Sequence, residues 1–153
     1  MSNVQQLPIG VFDSGVGGLS VLKVLQEQFP NEDFIYIGDN ANNPVGNRSD
    51  DEITYLACHI AEALEKQPVK LIVIACNTFT VVALDAVRER VSVPVIGVSQ
   101  GVKTAISQSK SKTIGIMATA ATVNSHIHKH VALEVDHEVL VWEQPCTELA
   151  GLI

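Results

Sequence analysis

A single cysteine stands where an apolar run gives way to a helical pattern, in the segment IACNTFTVVALDAV at residues 74–87. Cys76 is followed by Asn77 and Thr78, so its neighbours are polar. A thiol at the start of a helix has its anion stabilised by the helix dipole and by free backbone amides, which lowers its pKa. A lone buried cysteine is ordinarily a small apolar residue of the core. The polar neighbours favour the reactive interpretation, and Cys76 is predicted to be the most reactive thiol of the chain.

A second polar segment, DSGVGGLS, follows the first apolar run at residues 13–20. Asp13 and Ser14 place a carboxylate and a hydroxyl ahead of three glycines, which permit a tight turn into a helix whose N-terminus favours an anion. The glycine spacing nearly matches the dinucleotide-binding pattern, and Asp39 stands where a ribose-binding acid would lie. That alternative stays open from the pattern alone, but it gives no role to Asp13 and Ser14.

Two more polar segments follow apolar runs. In the long loop GDNANNPVGNRSDDE, a ligand-binding role is predicted for Pro44–Val45–Gly46, and residues 47–51 are interpreted as a solvated connector. In MATAATVNS, Thr119 and Thr122 are either helix caps or donors to a ligand carboxylate. Three histidines come next at alternating positions of a predicted helix, where they point in different directions; they are interpreted as surface residues, not as metal ligands (His126, His128 and His130).

Composition excludes several classes of protein. The 153 residues, 46% hydrophobic and 18% charged, describe a globular domain, and a net charge of −7 argues against general nucleic-acid binding. The three cysteines have no zinc-like spacing, and their odd number indicates free thiols in a reducing compartment. The N-terminus lacks a signal-peptide pattern, and the apolar runs are too short to span a membrane. A cytoplasmic location follows, and no cofactor is expected because no lysine ends a strand as a Schiff-base candidate.

The elements that must position these groups alternate along the chain. Short apolar runs typical of strands buried on both faces are Pro8–Phe12, Asp33–Ile37, Lys70–Ala75, Val93–Gly97, Thr113–Met117 and Glu138–Trp142. Helical spacing predicts helices over Gly18–Phe29, Asp50–Lys66, Thr78–Arg90, Gln100–Ser109 and Thr122–Val131. The alternation predicts one α/β domain over residues 1–153, a doubly wound, mostly parallel open sheet with helices on both faces. Ligands bind at the carboxyl ends of such strands, where the polar segments lie.

The polar segments together resemble a known family. IGVFDSGVGGLSVL, YIGDNANNPVG, IVIACNTFT and PVIGV…TIGIMATAATVNS are similar, in order and spacing, to the N-terminal half of the bacterial glutamate racemases, in the aspartate/glutamate racemase superfamily. The resemblance runs from about Ile9 to Ile153. It implies a cofactor-independent isomerase that interconverts L- and D-glutamate for peptidoglycan. Such enzymes use two cysteines, one from each of two similar domains, as base and acid on opposite faces of the substrate.

The resemblance also implies roles for particular residues. Cys76 is the N-terminal catalytic thiol and Asp13 its acidic neighbour. The residues that the resemblance places around the substrate's polar groups are Asp13, Ser14, Pro44, Val45, Gly46, Asn77, Thr78, Thr119 and Thr122.

The chain also departs from the family pattern. Asn42 and Val45 stand where the family commonly has arginine and tyrosine, which removes contacts from the loop around Pro44. The second domain, with its cysteine and histidine, has no counterpart here; Cys146 matches a non-catalytic position and Cys58 lies within a predicted helix. The surface left without that domain favours pairing of two copies. The alternatives are an aspartate or other amino-acid racemase, and an inactive ligand-binding module of the same fold.

Overall fold

A computed structural model describes residues 4–98 and 101–152 of the chain. Its strands are Ile9–Asp13 (β1), Phe34–Gly38 (β2), Leu71–Ile74 (β3), Val95–Gly97 (β4), Thr113–Ala118 (β5) and Leu140–Pro145 (β6). Its α-helices are Gly18–Gln28 (α1), Asp50–Glu65 (α2), Asn77–Arg90 (α3), Val102–Gln108 (α4), Ala120–Asn124 (α5) and Ile127–Val135 (α6). Single 3₁₀ turns lie at Val4–Gln6 and Leu149–Gly151. Within the described residues, no helix is long and apolar enough to cross a membrane.

The larger sheet is parallel, has the strand order β2-β1-β3-β4 and is covered on both faces. Of its two interior strands, β1 is buried throughout. One face packs on α1, and the other packs on α2 and α3 around Phe12, Ile72 and Phe79, which form the main core. The α/β class predicted from the apolar runs is confirmed, because strands buried on both faces cannot alternate with polar positions.

The remaining strands form a second, smaller sheet in which β5 pairs with β6 in parallel. Its inner face packs on α4 and α6 around Val102, Ile114, Ala132 and Val139. Its outer face carries large apolar side chains that are mostly exposed, at 69% for Met117, 62% for Leu140 and 72% for Trp142. The six strands therefore divide into two sheets with separate cores.

Side chains at three helix starts satisfy backbone amides that a helix leaves without partners. Ser49 caps α2 in a capping box with Glu52, which explains why the helix begins directly after the long polar loop. Cys76 caps α3 and Thr119 caps α5. Because Cys76 and Thr119 also belong to the polar segments at strand ends, the helix starts and the candidate site coincide.

The structure corrects two predictions in the C-terminal half of the chain, one about a helix and one about the exposure of a histidine. The predicted helix Thr122–Val131 is two helices, α5 and α6, separated at His126, whose φ of 53° is incompatible with a continuous helix. His128 is not a surface residue: it is 3% exposed, because the turn at His126 directs it under the smaller sheet. The predicted helix Gln100–Ser109 is present as α4, although Gln100 itself lies outside the described residues.

Candidate active site

Cys76 and Ser14 meet at the carboxyl ends of two neighbouring strands. Ser14 directly follows β1 and Cys76 follows β3, and β1 pairs with β3. The Oγ atom of Ser14 lies 3.4 Å from the Sγ atom of Cys76, within hydrogen-bonding reach for a sulfur. The structure therefore brings together a thiol and a hydroxyl from segments 62 residues apart.

Cys76 is more shielded than its sequence position suggests. Its Sγ accepts the Phe79 N–H at 3.5 Å, as expected for a cap of α3, but the residue is only 6% exposed. Burial raises the pKa of the Cys76 thiol, and the hydrogen bonds from Phe79 and Ser14 offset this only in part. The lowered pKa predicted from the helix terminus is thus wrong for this chain, because desolvation outweighs the amide contacts.

Asp13 shapes the glycine turn from a buried position. Its Oδ2 accepts the N–H of Gly15 at 3.1 Å and the N–H of Gly18 at 3.0 Å, and the residue is 7% exposed. Gly18 is required at this place, since a Cβ there would lie 2.6 Å from the Cβ of Asp13. The carboxylate thus fixes the backbone that presents Ser14 to Cys76.

Tyr36 is a site residue that the sequence reasoning missed. Its hydroxyl donates to the Gly15 carbonyl at 2.9 Å, which holds the glycine turn from the side of β2. Burial raises the pKa of Tyr36 to about 12, and the nearby Asp13 and Cys76 add to the effect. The sequence signal that could have found it is its place near the end of a predicted strand, at the edge of the sheet where the polar segments lie.

Three threonine hydroxyls form a cluster beside the thiol. Thr78 Oγ1 lies 3.0 Å from Thr119 Oγ1 and 3.4 Å from Thr122 Oγ1, and Thr119 donates to Thr122 at 3.0 Å. Thr78 belongs to α3, whereas Thr119 and Thr122 belong to the start of α5. The cluster therefore links the two sheets, and its hydroxyls can turn to meet a ligand carboxylate.

The loop Pro44–Val45–Gly46 lies against the threonine cluster, but the side chain of Val45 points away from the site into the core. Val45 is 3% exposed and belongs to the main core, so it can offer a ligand only backbone groups. The Gly46 carbonyl accepts the Ala121 N–H at 3.0 Å. A Cβ on Gly46 would lie 2.4 Å from the Cβ of Thr119, so the loop backbone is pressed against the threonine cluster.

Asn77 is the remaining residue that was predicted to contact the substrate. It is exposed at the mouth of the site, next to Cys76.

Three further residues that the sequence analysis considered lie elsewhere. Asp39 is engaged within its own loop, where the Asn42 side-chain amide donates to both carboxylate oxygens at 3.0 and 2.8 Å, so the ribose-binding role gains no support. Cys58 is half-buried in α2. Cys146 is half-buried and lines a small cavity with Pro44 and Thr119, a proximity that the sequence did not predict.

The arrangement suits proton transfer at a small anionic ligand. The thiol of Cys76 provides the transferable proton, and the threonine hydroxyls and the start of α3 provide groups that bind carboxylates. The glycine turn holds Ser14 beside the thiol. Among the described residues, no three His, Cys, Asp or Glu side chains are arranged to hold a metal ion. One thiol, however, can serve only one face of a ligand.

Comparisons with known proteins agree with this fold. Residues 9–152 match the family model described as Asp/Glu/Hydantoin racemase. A glutamate racemase from Picosynechococcus is 45% identical over an alignment of 154 positions, which covers 100% of this chain and 54% of the relative. A glutamate racemase isoform from Bacillus anthracis has a TM-score of 0.87 at 38% identity, over 96% of this chain and 56% of that structure. A glutamate racemase from Francisella tularensis, solved in complex with D-glutamate, has a TM-score of 0.83 at 39% identity, over 96% and 55%.

Proposed function

Because the chain belongs to the Asp/Glu/hydantoin racemase family, we propose that it is the N-terminal half of a cofactor-independent glutamate racemase. The chain spans about half the length of the relatives it matches, 54% of the Picosynechococcus protein for example. The observation that carries the proposal is the 3.4 Å contact between Ser14 Oγ and Cys76 Sγ, beside the threonine cluster. A ligand that interconverts between mirror images needs a proton donor and a proton acceptor on opposite faces, and this half supplies one of them.

Cys76 acts in this proposal as the acid or base for one face of the α-carbon. Because burial raises its pKa, the thiol carries a proton at neutral pH and is ready to donate it. In the reverse direction it must lose that proton before it can act as a base. The ammonium group of a bound amino acid would favour the thiolate, since a nearby positive charge lowers a thiol's pKa. Ser14 stabilises the thiolate by donating a hydrogen bond from its hydroxyl to Cys76 Sγ.

The substrate's carboxylates are assigned to the groups that can donate without charge. Thr78, Thr119 and Thr122 present hydroxyls, and Asn77 presents an exposed amide at the start of α3. Asp13 is a positioning residue in this scheme, because both hydrogen bonds to its Oδ2 come from the glycine turn. The Francisella tularensis structure was solved with D-glutamate, which supports glutamate as the substrate of the complete protein.

We expect the 153-residue chain by itself to show negligible racemisation of glutamate. One thiol can remove the α-proton from one face, but return from the other face needs a second positioned acid. Circular dichroism of L- or D-glutamate incubated with the chain measures this directly. Slow exchange of the α-proton into heavy water, without inversion, is the most that the single thiol supports. Robust racemisation that disappears in Cys76→Ala would contradict the proposal, since the second acid would then come from this chain or from a second copy.

Two alternatives remain to be separated from this function. An aspartate or other amino-acid racemase would use the same thiol, and exchange assays with aspartate and glutamate side by side distinguish the substrates. An inactive binding module would retain glutamate affinity but show no Cys76-dependent exchange. The proposal also places the protein in the cytoplasm, because all three cysteines are free, as expected in a reducing compartment. Pairing of two copies is a further prediction, which light scattering can test.

A further inference from the structure

We propose that Glu143 is a positioning residue of the candidate active site. It holds α5 in place through His126, so that the hydroxyls of Thr119 and Thr122 are presented to a ligand. The role of the two hydroxyls rests on the proposed function, whereas the link between Glu143 and α5 rests on geometry alone.

Glu143 lies on the covered face of the smaller sheet, among apolar side chains. Side chains alternate along a strand, so Glu143 shares a face with Val141, which packs on the core of this sheet. Its partner in the register of β5 and β6 is Ile116, another residue packed on that core. The side chain of Glu143 is only 9% exposed. A carboxylate so shielded from water needs hydrogen-bond donors to offset its lost hydration.

His126 is the donor that the structure supplies to this carboxylate. Its Nδ1 lies 2.7 Å from Glu143 Oε2, and because an ionised carboxylate can only accept, the imidazole donates. The contact joins β6 to the turn at which α5 ends and α6 begins. Glu143 therefore connects the smaller sheet to the junction of two helices.

The backbone at His126 has a conformation that requires support from outside the two helices. Its φ of 53° is uncommon for a residue with a side chain, and its side chain does not cap α6. Strained conformations of this kind persist where surrounding contacts hold them, and they are concentrated at functional sites. The Glu143 carboxylate is a contact of that type, since it binds the His126 ring from a different element.

The turn at His126 is attached to α5 by further hydrogen bonds. The His126 N–H donates to the Val123 carbonyl at 3.0 Å, and the Ser125 hydroxyl donates to the Thr122 carbonyl at 2.7 Å. Because α5 has only five residues, a contact that fixes its end also restrains its start. Thr119 caps that start, and its hydroxyl belongs to the threonine cluster. The position of the cluster thus depends on the bond between His126 and Glu143.

Two buried polar atoms show that Glu143 is not simply a packing residue. Among the described residues, neither Glu143 Oε1 nor His128 Nδ1 has a hydrogen-bond partner. Such atoms are rare, because each loses its hydration without a replacement. An apolar side chain beside Ile116 would avoid this cost. The contribution that Glu143 makes in return is its bond to His126.

The charge of Glu143 also acts on His128. Burial lowers the pKa of His128, and the Glu143 carboxylate opposes this effect only in part. β5 and α5 carry no titratable side chain. The remaining titratable residues of α4 and α6 are exposed, namely Lys103, Lys129, His130 and Glu134. The titration of His128 therefore reports on the carboxylate of Glu143.

Amide hydrogen exchange in the 153-residue chain tests the link from Glu143 to α5. Glu143→Ala removes the acceptor of the His126 bond. We expect exchange at Ala121 and Thr122, the amides of α5 that bond to the Pro44 loop and to the cap, to become about tenfold faster. The Ile72 amide, within β3 of the larger sheet, should change less than about twofold.

Two further variants are the controls for this experiment. Glu143→Gln keeps an oxygen that can accept from His126, and should restore exchange to within about threefold of the wild type. Glu134→Ala removes an exposed carboxylate of α6, and should change these rates less than about twofold. Unchanged exchange at Ala121 and Thr122 in Glu143→Ala, or an equal increase at Ile72, would overturn the proposal.

The imidazole signals of His128, followed by NMR over a series of pH values, test the placement of the carboxylate. Wild-type His128 should titrate below the ordinary range of a histidine, because burial lowers its pKa. Glu143→Gln removes the negative charge that favours the imidazolium, so the midpoint should fall further. Glu134→Ala should leave the midpoint unchanged. A Glu143→Gln midpoint equal to that of the wild type would also overturn the proposal.

Binding of glutamate separates this inference from the proposed function. In calorimetric titrations of the chain with glutamate, we expect Glu143→Ala to bind at least about fivefold more weakly than the wild type, because displaced hydroxyls lose their bonds to the ligand carboxylate. Equal affinities would contradict the positioning role. If Glu143→Ala speeds exchange in α5 but the wild type binds no glutamate, the proposed substrate fails and the link between Glu143 and α5 stands.

Discussion

At the scale of single residues, Cys76 shows two opposing effects on one thiol. Its place at the start of α3 gives it the Phe79 amide as a hydrogen-bond donor, and Ser14 adds a second contact. Both favour the thiolate, yet burial favours the neutral thiol more strongly and raises the pKa. The sequence indicated the helix terminus correctly but not the burial, because burial depends on loops that approach from elsewhere in the chain.

The raised pKa predicts how Cys76 reacts with iodoacetamide. Only the thiolate reacts, so the rate should keep rising with pH beyond the value at which an ordinary thiol is half ionised. At neutral pH we expect Cys76, which is buried, to react more slowly than the half-buried Cys146, the reverse of the order that the sequence suggests. Ser14→Ala removes a contact that lowers the pKa, and should slow Cys76 labelling about fivefold further at a fixed pH.

Mass spectrometry of peptides labelled over a series of pH values measures both rates in one sample. Cys146 serves as the internal control for folding and reagent activity. A labelling rate of Cys76 that stops rising at a pH below the pKa of an ordinary thiol would contradict the raised pKa.

At the scale of elements, the sequence predicted local structure well and pairing less well. Five of the six strands lie within two residues of their predicted bounds, and β6 ends at Pro145, three residues beyond its predicted end. In the larger sheet the prediction succeeds because runs without polar alternation are typical of strands covered on both faces. The break at His126 was missed, since helical spacing continues through it and only the positive φ interrupts it. The division into two sheets was also missed, because which strands become neighbours depends on long-range packing.

Gly18 tests how tightly the glycine turn is packed against β1 and β3. A Cβ there would lie 2.6 Å from the Cβ of Asp13 and 3.0 Å from that of Ala75. We expect Gly18→Ala to lower the free energy of unfolding by about 1–3 kcal/mol, the usual cost of overpacking. Gly115→Ala is the matched control, since a Cβ at Gly115 meets no atom within 4 Å and should change stability by less than about 0.5 kcal/mol.

Urea denaturation followed by far-ultraviolet circular dichroism measures both variants. Equal midpoints for Gly18→Ala and Gly115→Ala would show that the turn can move to accept a side chain. The contact between Asp13 and the turn would then be looser than the distances indicate.

At the scale of the whole molecule, the two sheets differ in how completely they are covered. The larger sheet buries apolar groups on both faces, whereas the smaller one buries a single face and exposes Met117, Leu140 and Trp142. A two-stranded sheet with one covered face has little stability of its own. The threonine cluster and the bond between Ala121 N–H and Gly46 carbonyl attach it to the larger sheet.

This difference predicts that the two sheets unfold separately. Hydrogen exchange at the backbone amides that join β5 to β6 should therefore become fast at a lower urea concentration than the one at which circular dichroism is lost, because circular dichroism reports mainly on the larger sheet and its helices. Coincident curves from the two probes would show instead that the threonine cluster couples the sheets into one cooperative unit.

The contact between Gly46 and Thr119 restricts how this protein can vary during evolution. A side chain at position 46 collides with the Cβ at position 119, so replacing threonine by serine there would not make room. Glycine at position 119 would make room, but it would remove the hydroxyl that caps α5 and joins the threonine cluster. Position 46 therefore cannot accept a side chain while position 119 keeps its Cβ. In a mutational library, we expect side chains at position 46 to be tolerated only together with glycine at position 119, although the two residues lie 73 positions apart in the sequence.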